Sequence, residues 1–242
     1  MLEYSAMASN FLGDSSAQWR SPIISAAELI AREGVNLTKG MNFRDRGELL
    51  SVFLVLPSHE GSYKDEWHSD TCIYEYEGHD STTAESGKLA DQLLMYESGK
   101  VTDNGKFYKA AHAFKDGIRK SPLQVQVYEK LETGVWFDKG IFNLIDAMPV
   151  KEDGRKVYKF HLMPLEAFET GKMKDAHAPE RMVPAVVKAE VWKRDRGHCG
   201  MCKEEKDLRF VISAKRADPK STKLLCAKHR GEKTKRGLLG IV

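Results

Sequence analysis

Four residues near the carboxyl end of the chain have the types and the spacing of a metal site. Cys199 and Cys202 form a C-x2-C pair, and Cys226 and His229 form a C-x2-H pair after 23 intervening residues. Thiolate sulfur and imidazole nitrogen are the usual ligands of tetrahedral structural zinc. The sequence therefore predicts that these four residues bind one structural Zn²⁺ ion.

The region around these ligands is basic and begins with a predicted helix. Residues 185–196 have an amphipathic pattern, and Pro184 stands at their amino end, which favours a helix there. From Pro184 to Val242 there are 16 Lys and Arg against 7 Asp and Glu, a net charge of +9, whereas the first 183 residues carry a net charge of −6. Such a module favours a polyanionic partner, most simply nucleic acid; a solvated basic tail is the alternative.

The remainder of the chain predicts many short strands and few helices. Ser25 and Glu28 form a capping box for a helix over 25–32, which Gly34 ends. A further helix is expected over 88–99, and a short helix or a helix–strand edge over 107–114. Strands are expected at 49–56, 71–77, 123–128, 135–137, 141–145 and 156–162, with a turn at 138–140. The fold class is therefore predicted to be α+β, built on a curved β-rich sheet or open barrel.

Five motifs in this part of the chain occur in a particular order. They are the loop GSYKDE at 61–66, the strand IYEYEGHD at 73–80, LADQLL at 89–94, PLQVQV at 122–127 and WFDKGIF at 136–142. This order resembles the SRA (SET-and-RING-associated, or YDG) domain over roughly 40–164. The resemblance implies a PUA-type open barrel that flips 5-methylcytosine or 5-hydroxymethylcytosine into a pocket of its sheet.

The resemblance also implies which residues form that pocket. Tyr63 and Tyr76 would stack on the flipped base, and Asp65 or Glu66 would accept a hydrogen bond from its N4 amino group. The loop is one residue longer than the family pattern, which leaves the choice of carboxylate open; Glu66 is the closer positional match. Glu77 stands where the family has Thr. It would suit a hydroxylated or larger modification better than a methyl group, unless it points outward. Ordinary packing of the tyrosines in the sheet is the alternative.

The region after Val191 resembles the ββα-metal module of HNH nucleases. The resemblance is carried by VWKRDRGHCGMC at 191–202, LLCAKH at 224–229 and EKTKRG at 232–237. It implies a hairpin between the two ligand pairs, with the general base in its first strand and other polar residues holding a divalent metal. The corresponding positions in this chain are Val211, Ile212, Thr222 and Arg230.

Valine and isoleucine cannot accept a proton or bind Mg²⁺, so the module is predicted to be a catalytically degenerate clamp on DNA, and its catalytic residues stay unassigned. Phosphate contacts are expected from the basic side chains Lys215, Arg216, Lys223, Lys228, Arg230, Lys233, Lys235 and Arg236. The alternative is an active nuclease that uses Mg²⁺ or Mn²⁺ and another histidine, His198 or His177, as its base.

The predicted organisation is an arm and short helix over 1–39, an SRA-like domain over 40–164, a linker over 165–184 and an HNH-like zinc module over 185–242. This pairing is similar to modification-dependent restriction endonucleases of bacteria. It predicts a protein that binds double-stranded DNA containing modified cytosine, and it leaves open whether the protein is an enzyme. A homodimer is expected by analogy with nucleases that cut two strands. A β-barrel that does not bind DNA is the third hypothesis.

The sequence also predicts where the protein acts. No apolar run approaches the roughly 20 residues that cross a bilayer, and the amino terminus lacks the pattern of a secretory signal. Cys72 is the one cysteine outside the metal set, which fits a reducing compartment. We therefore expect a cytoplasmic, nucleoid-associated protein of a bacterium, with no membrane partner.

Overall fold

The computed structural model describes residues 21–37, 39–44, 50–56, 63–68, 70–80, 90–170, 180, 183–214 and 217–230. These residues form mostly strands with a few helices. The strands are β1 (Ile23–Ser25), β2 (Met41–Asn42), β3 (Ser51–Val55), β4 (Glu66–His68), β5 (Ile73–Glu77), β6 (Leu123–Glu132), β7 (Val135–Glu152), β8 (Arg155–Pro164), β9 (Arg209–Ile212) and β10 (Thr222–Leu225). The helices are α1 (Ala26–Glu33), α2 (Asp103–Lys115), α3 (Leu165–Thr170) and α4 (Ala185–Asp195). None of these helices has the length and apolar character needed to cross a membrane.

The large sheet of the described residues has eight strands. Its order is β2-β3-β6-β7-β8-β5-β4, with β1 added beside β7. The β3–β6 pair is parallel and the other pairs are antiparallel. Phe53, Phe107 and Phe160 meet edge to face between the sheet and α2, and all three are fully buried. This aromatic core fixes the sheet against which the candidate site is built.

The predicted capping box of α1 is confirmed. The Ser25 hydroxyl accepts from the Glu28 amide, and the Glu28 carboxylate accepts from the Ser25 amide in return. Gly34 ends the helix with φ 70°, a left-handed conformation that glycine adopts without steric cost. The described part of the arm predicted over 1–39 thus contains α1 and β1, and β1 joins the large sheet.

The helix predicted over 88–99 is wrong for the residues that the structure describes. Residues from 90 onward form turns and a single bridge between Met95 and Val101, with Gly99 at φ 79°. The helix begins instead after Thr102, whose hydroxyl accepts from the Gly105 amide as an N-cap. The segment 107–114 lies inside this helix, α2. Gly99 with its positive φ and Thr102 as an N-cap favour a helix that starts after residue 102, and together they outweigh the apolar spacing over 88–99.

The turn predicted at 138–140 is also wrong, because these residues belong to one continuous strand, with Gly140 at φ 95°. The strands predicted at 135–137 and 141–145 are parts of the single strand β7. Val127 pairs with Gly140 and Tyr128 pairs with Asp138, so Lys139 is an extra residue in a β-bulge. The Asp138 carboxylate accepts from the Gly140 amide at 2.9 Å, which closes the bulge locally.

The second sheet is the hairpin of β9 and β10. Helix α4 and this hairpin share one apolar cluster with the large sheet, which contributes the buried residues Leu131 and Phe137 and the partly buried Ile23 and Val135. The predicted linker begins as α3, and near its end Glu180 is buried and accepts from the Phe210 amide at 2.8 Å. The carboxyl-terminal part of the molecule is thus packed against β6 and β7.

Candidate functional sites

A cavity of about 290 Å³ lies between the large sheet and the start of α4. Its aromatic and charged lining consists of Tyr63, Asp65, Glu66, Trp67, Tyr74 and Lys139. The opposite wall is the segment Val183–Val186, which leads into α4. The cavity therefore combines flat aromatic surfaces with groups that donate and accept hydrogen bonds.

Three of the five residues predicted for a base pocket line this cavity, namely Tyr63, Asp65 and Glu66. Tyr76 does not. Its hydroxyl donates to the Leu54 carbonyl at 3.1 Å, and its ring packs 4.5 Å from the ring centroid of Phe53. Tyr74 lines the cavity instead. It lies two residues earlier on β5 and therefore on the same face of the strand.

Glu77, the fifth predicted residue, points inward and is held by structural partners. One carboxylate oxygen accepts from the Lys64 amide at 2.8 Å and lies 3.4 Å from Lys159 Nζ. The other accepts from Arg155 at 3.1 Å. Arg155 also pairs with Asp80. Because both oxygens of Glu77 are engaged in this buried network, the geometry gives no support to a contact with a base substituent.

Asp65 has the most perturbed carboxyl group of the cavity. Burial raises its pKa to about 7, although a hydrogen bond from the Glu77 amide acts in the opposite direction. That amide lies 2.8 Å from Asp65 Oδ1. Burial also raises the pKa of the Tyr63 hydroxyl, which therefore stays protonated near neutral pH. The cavity thus holds a phenol and a carboxyl group that gains or loses its charge close to pH 7.

Among the aromatic and charged lining residues, sequence reasoning missed Tyr74, Trp67 and Lys139. Lys139 is only 1% exposed; its Nζ donates to Glu129 Oε1 at 2.6 Å and lies 4.7 Å from the ring centroid of Tyr74. The indole nitrogen of Trp67 is buried and has no hydrogen-bond partner among the described residues. The alternation of side chains along β5 puts Tyr74 on the same face as Tyr76, so the sequence could have indicated Tyr74. The Asp-Lys-Gly triplet that contains Lys139 has the composition of a turn and gave no such indication.

The four predicted metal ligands come together at the other candidate site. One ligand atom from each of Cys199, Cys202, Cys226 and His229 lies within 4.8 Å of every other. His229 Nδ1 is 3.5 Å from the sulfur atoms of Cys199 and Cys226, and the sulfur atoms of Cys202 and Cys226 are 3.7 Å apart. Ligands at about 2.0–2.3 Å from a tetrahedral zinc ion are separated by roughly 3.5–3.8 Å. The cluster therefore fits a metal ion such as zinc.

The backbone around the metal ligands also suits thiolate sulfur. Burial alone would raise the pKa of the Cys199 thiol, but backbone hydrogen bonds from Cys226, Met201 and Cys202 and the contact with His229 lower it to about 6. The Gly200 amide donates to the Leu224 carbonyl at 2.9 Å, which ties the first ligand pair to the strand before the second.

The positions at which the HNH resemblance would require a general base or a metal ligand are occupied by Val211, Ile212, Thr222 and Arg230. Val211 and Ile212 pack against the apolar cluster of α4. The Thr222 hydroxyl is buried, with no hydrogen-bond partner in the part of the chain that the structure describes. Arg230 pairs with the Asp207 carboxylate at 2.9 Å. His198 lies outside the hairpin, 3.0 Å from Glu205.

The predicted phosphate contacts are described only in part. Lys223 lies on β10, Lys228 is exposed in the turn of helix after Cys226, and Arg230 follows it. The other predicted residues lie outside the described residues: Lys215, Arg216, Lys233, Lys235, Arg236 and the alternative base His177.

Comparisons with known proteins give a weak similarity of fold. No family model and no curated protein matches the chain. Among solved structures, it is similar to the SRA domain of SUVH5 in complex with fully methylated CG DNA, with a TM-score of 0.40 and 18% identity over 59% of this chain and 85% of that one. It is also similar to KRYPTONITE in complex with mCHH DNA, an H3(1–15) peptide and SAH, with a TM-score of 0.42 and 18% identity over 61% of this chain and 32% of that one. At these TM-scores, the similarities assign the chain to no family.

Proposed function

We propose that the protein binds double-stranded DNA containing a modified cytosine, 5-methylcytosine or 5-hydroxymethylcytosine, by flipping the base into the cavity beside Tyr63. The carboxyl-terminal module, with zinc bound by its four ligands, clamps the DNA without cutting it. The observation that carries the proposal is the cavity itself, where aromatic side chains and carboxylates line one space next to a strongly basic module.

The cavity has the chemistry that a flipped base requires. Tyr63 and Tyr74 offer ring surfaces, and stacking contributes about 1–3 kcal/mol per base. Asp65 and Glu66 offer acceptors for the N4 amino group of cytosine. Its volume of about 290 Å³ lies near the lower end of the roughly 300–1,000 Å³ of pockets for drug-sized ligands. A single base with a small substituent is of suitable size.

The basic module supplies affinity that does not depend on sequence. Its net charge of +9 over 184–242 suits contacts with phosphates, which position a protein on a duplex but carry no base information. Bound zinc would hold the two ligand pairs together and stabilise the fold of this small module. We propose the division into a base-binding part over 40–164 and a clamp over 185–242 on these grounds.

Cleavage is the competing outcome. The resemblance to HNH modules favours it, but the described hairpin presents Val211 and Ile212 where an acid–base group is needed. A side chain that cannot accept a proton cannot activate water. We therefore propose binding without hydrolysis.

The test compares duplexes of one sequence whose central base is cytosine, 5-methylcytosine, 5-hydroxymethylcytosine or its glucosylated form. Affinity is measured by fluorescence anisotropy, and the same samples with Mg²⁺, Mn²⁺ or Ni²⁺ are run on a denaturing gel. We expect tighter binding of a modified duplex and no cleavage. Equal affinity for all duplexes would overturn the proposal that the cavity binds a modified base. Metal-dependent cutting would overturn the proposal that the carboxyl-terminal module binds DNA without hydrolysis.

A matched pair of variants assigns any selectivity to the cavity. Tyr63→Ala should remove most of the preference for the modified duplex, because it removes one stacking surface. Tyr96→Ala is the control, since Tyr96 lies in a turn outside the cavity, and it should keep the preference. Loss of preference in both variants would point to a general loss of structure.

A further inference from the structure

The cavity has one wall that does not come from the large sheet. Residues of the sheet and its loops, among them Tyr63 and Tyr74, form most of the lining, and the segment Val183–Val186 completes it. This segment leads directly into α4. A base that fills the cavity would therefore contact both the sheet and the chain that enters the carboxyl-terminal module.

The side chains of this wall pack into two different apolar clusters. Ala185 packs against the core of the large sheet, which contains Phe53. Val183 is fully buried in the other cluster, between α4 and the hairpin. That cluster also contains the metal ligands Cys199 and Cys226, which are 0% and 3% exposed. The wall of the cavity and two of the four metal ligands are therefore parts of one packed interior.

A buried carboxylate fixes the start of the wall to the hairpin between the two ligand pairs. Glu180 is 4% exposed. One of its oxygens accepts from the Phe210 amide at 2.8 Å, and the other lies 3.3 Å from Arg209 Nη1. The Glu180 carbonyl in turn accepts from the Val183 amide at 3.3 Å. Because Arg209 and Phe210 lie on β9, the position of the wall depends on the hairpin that the metal ligands flank.

A second buried carboxylate fixes the other end of the wall to the large sheet. Glu129, on β6, accepts from Lys188 of α4 through one oxygen and from Lys139 of β7 at 2.6 Å through the other. None of the three side chains is more than 1% exposed. This charged cluster contains no residue of the hairpin. Loss of the hairpin would therefore release the wall at Glu180 and leave it attached at Lys188.

We propose that the segment Val183–Val186 couples the metal site to the cavity, so that selectivity for the modified base depends on bound zinc, and that Glu180 is the positioning residue of this coupling. The inference rests on the proposed function. The wall carries the coupling, and the phosphate contacts of the clamp take no part in it.

The physical reason is the short range of the contacts that recognise a base. A gap of about 0.5–1 Å between packed atoms already loses roughly a quarter to a half of their dispersion energy. A wall released at Glu180 would open gaps of this kind against a bound base. Contacts between charged groups and phosphates extend over a Debye length of about 8 Å at physiological salt. The preference for a modified base is therefore expected to be more sensitive to the wall than the affinity for phosphates.

Coupling between two sites is reciprocal, and this gives the proposal a quantitative form. If bound zinc raises the preference for a modified duplex by some factor, the modified duplex must raise the affinity for zinc by the same factor, relative to the unmodified duplex. We expect a factor of about ten, within the roughly 5–150-fold range of such couplings.

The first experiment measures the zinc affinity of the full chain by competition with a chromophoric chelator. The chain is saturated with a duplex that contains either cytosine or the best-bound modified cytosine at its centre. Both duplexes make the phosphate contacts of the clamp, so the difference between them reports on the cavity. Zinc should be held about tenfold more tightly with the modified duplex. Equal zinc affinity with the two duplexes would overturn the coupling.

Glu180→Gln tests the positioning role in the zinc-loaded chain. A neutral amide makes weaker hydrogen bonds to β9 than a carboxylate does, so the preference for the modified duplex should fall about fivefold, the lower end of couplings between sites. The zinc content and the affinity for the unmodified duplex should stay as in the wild type. Glu190→Gln, at an exposed position of α4, is the matched control and should keep the preference.

Pro184→Gly tests the wall without changing a buried charge. Proline fixes the backbone angle φ of the wall, which is −56° here, and glycine releases it. The variant should bind zinc and lose part of the preference. Thermal melting checks the folding of every variant, and Pro184→Gly decides the role of the wall if Glu180→Gln fails to fold. An unchanged preference in Pro184→Gly would overturn that role.

The outcomes separate the inference from the function on which it rests. If the zinc-loaded wild type binds modified and unmodified duplexes equally, the proposed function fails and the inference fails with it. If the wild type is selective but both duplexes protect zinc equally, only the coupling is overturned. If the duplexes differ and Glu180→Gln keeps the full preference, only the role of Glu180 is overturned.

Discussion

The metal-ligand cluster and the cavity both gather polar groups in the interior, but they do so over different distances along the chain. The cluster joins residues 3 to 30 positions apart, as in the contacts of His229 with Cys226 and Cys199. The charged groups beside the cavity pair over 10 positions between Glu129 and Lys139 and over 59 between Glu129 and Lys188. The first site is therefore assembled within a short stretch of the chain, whereas the second needs the whole sheet with α4 docked on it.

The largest effect should come from removing the metal. Zinc binding to small modules contributes on the order of 10–16 kcal/mol to their folding, so a strong chelator or Cys199→Ser should unfold the part after α4. The large sheet has its own aromatic core and should persist. Limited proteolysis read by mass spectrometry, together with a zinc assay expected to give one ion per chain, checks this.

Cys72→Ser is the matched control for that change, because Cys72 lies outside the cluster. It should keep the zinc content and the proteolysis pattern of the wild type. If Cys199→Ser also kept both, the cluster would not be a structural metal site, and the contrast between the two regions would lose its basis.

The next largest effect should come from Glu129→Gln. The change leaves two buried ammonium groups without their shared carboxylate, and breaking a buried ion pair from one side costs about 3–5 kcal/mol. The free energy of unfolding from urea titration should fall by that amount. Glu132→Gln, at the exposed end of the same strand, should change it by less than about 0.5 kcal/mol. A small loss for Glu129→Gln would mean that the cluster is hydrated.

A smaller effect should appear in the pH dependence of the free energy of unfolding, through the carboxyl group of Asp65. Its pKa in the folded state, about 7, lies above its usual value of 3.8. Between these two pH values the folded state therefore keeps a proton that the unfolded state has released. Its stabilising contribution is present below about pH 4 and is lost as the pH rises through about 7. The wild type minus Asp65→Asn difference in the free energy of unfolding should therefore decrease between pH 5 and pH 8. A flat difference would show that Asp65 is already ionised at pH 5.

The same group should make selective binding rise with pH over that range, because the ionised carboxylate is the better acceptor for an amino group. The preference of the wild type for a modified duplex should be larger at pH 8 than at pH 6. Asp65→Asn should show a weaker preference that does not change with pH. Anisotropy titrations at constant ionic strength measure both.

The smallest effect is expected from Lys228→Ala on the exposed surface of the proposed clamp. Losing one phosphate contact should weaken binding to modified and unmodified duplexes equally and reduce the slope of log affinity against log salt by about 0.9. Tyr63→Ala should instead leave the salt slope unchanged and affect the modified duplex alone. A change in selectivity for Lys228→Ala would mean that the clamp contributes to base recognition.

The sequence predicts a site well when the residues that form it are close together in the chain, and poorly when they are far apart. Each of the two metal-ligand pairs, like the capping box of Ser25 and Glu28, is encoded by spacing within a few residues, and the structure brings both pairs and the capping box together. Tyr74 and Tyr76 have the same type, lie on the same face of one strand and are both buried, so only the tertiary packing around Phe53 decides which of them also lines the cavity.

Lys139 could not be predicted because its place depends on pairing with a distant strand. Asp-Lys-Gly is a typical turn sequence, and only the register with Val127 and Tyr128 makes it a bulge. The helix expected over 88–99 failed for a related reason. Its apolar spacing fits a helix locally, but Thr102 and Gly99 favour a later start, and the buried Gln92 side chain donates to the Gly78 carbonyl at 2.6 Å.

The bulge at Lys139 has a consequence for how such a protein can change over time. Val127 and Tyr128 are consecutive, and their partners Gly140 and Asp138 would also be consecutive if Lys139 were deleted. Every pairing of β6 with β7 would survive, and no side chain would switch faces. One codon can therefore be gained or lost here without a change of strand register, and what opposes its loss is the buried partner Glu129 rather than the architecture of the sheet.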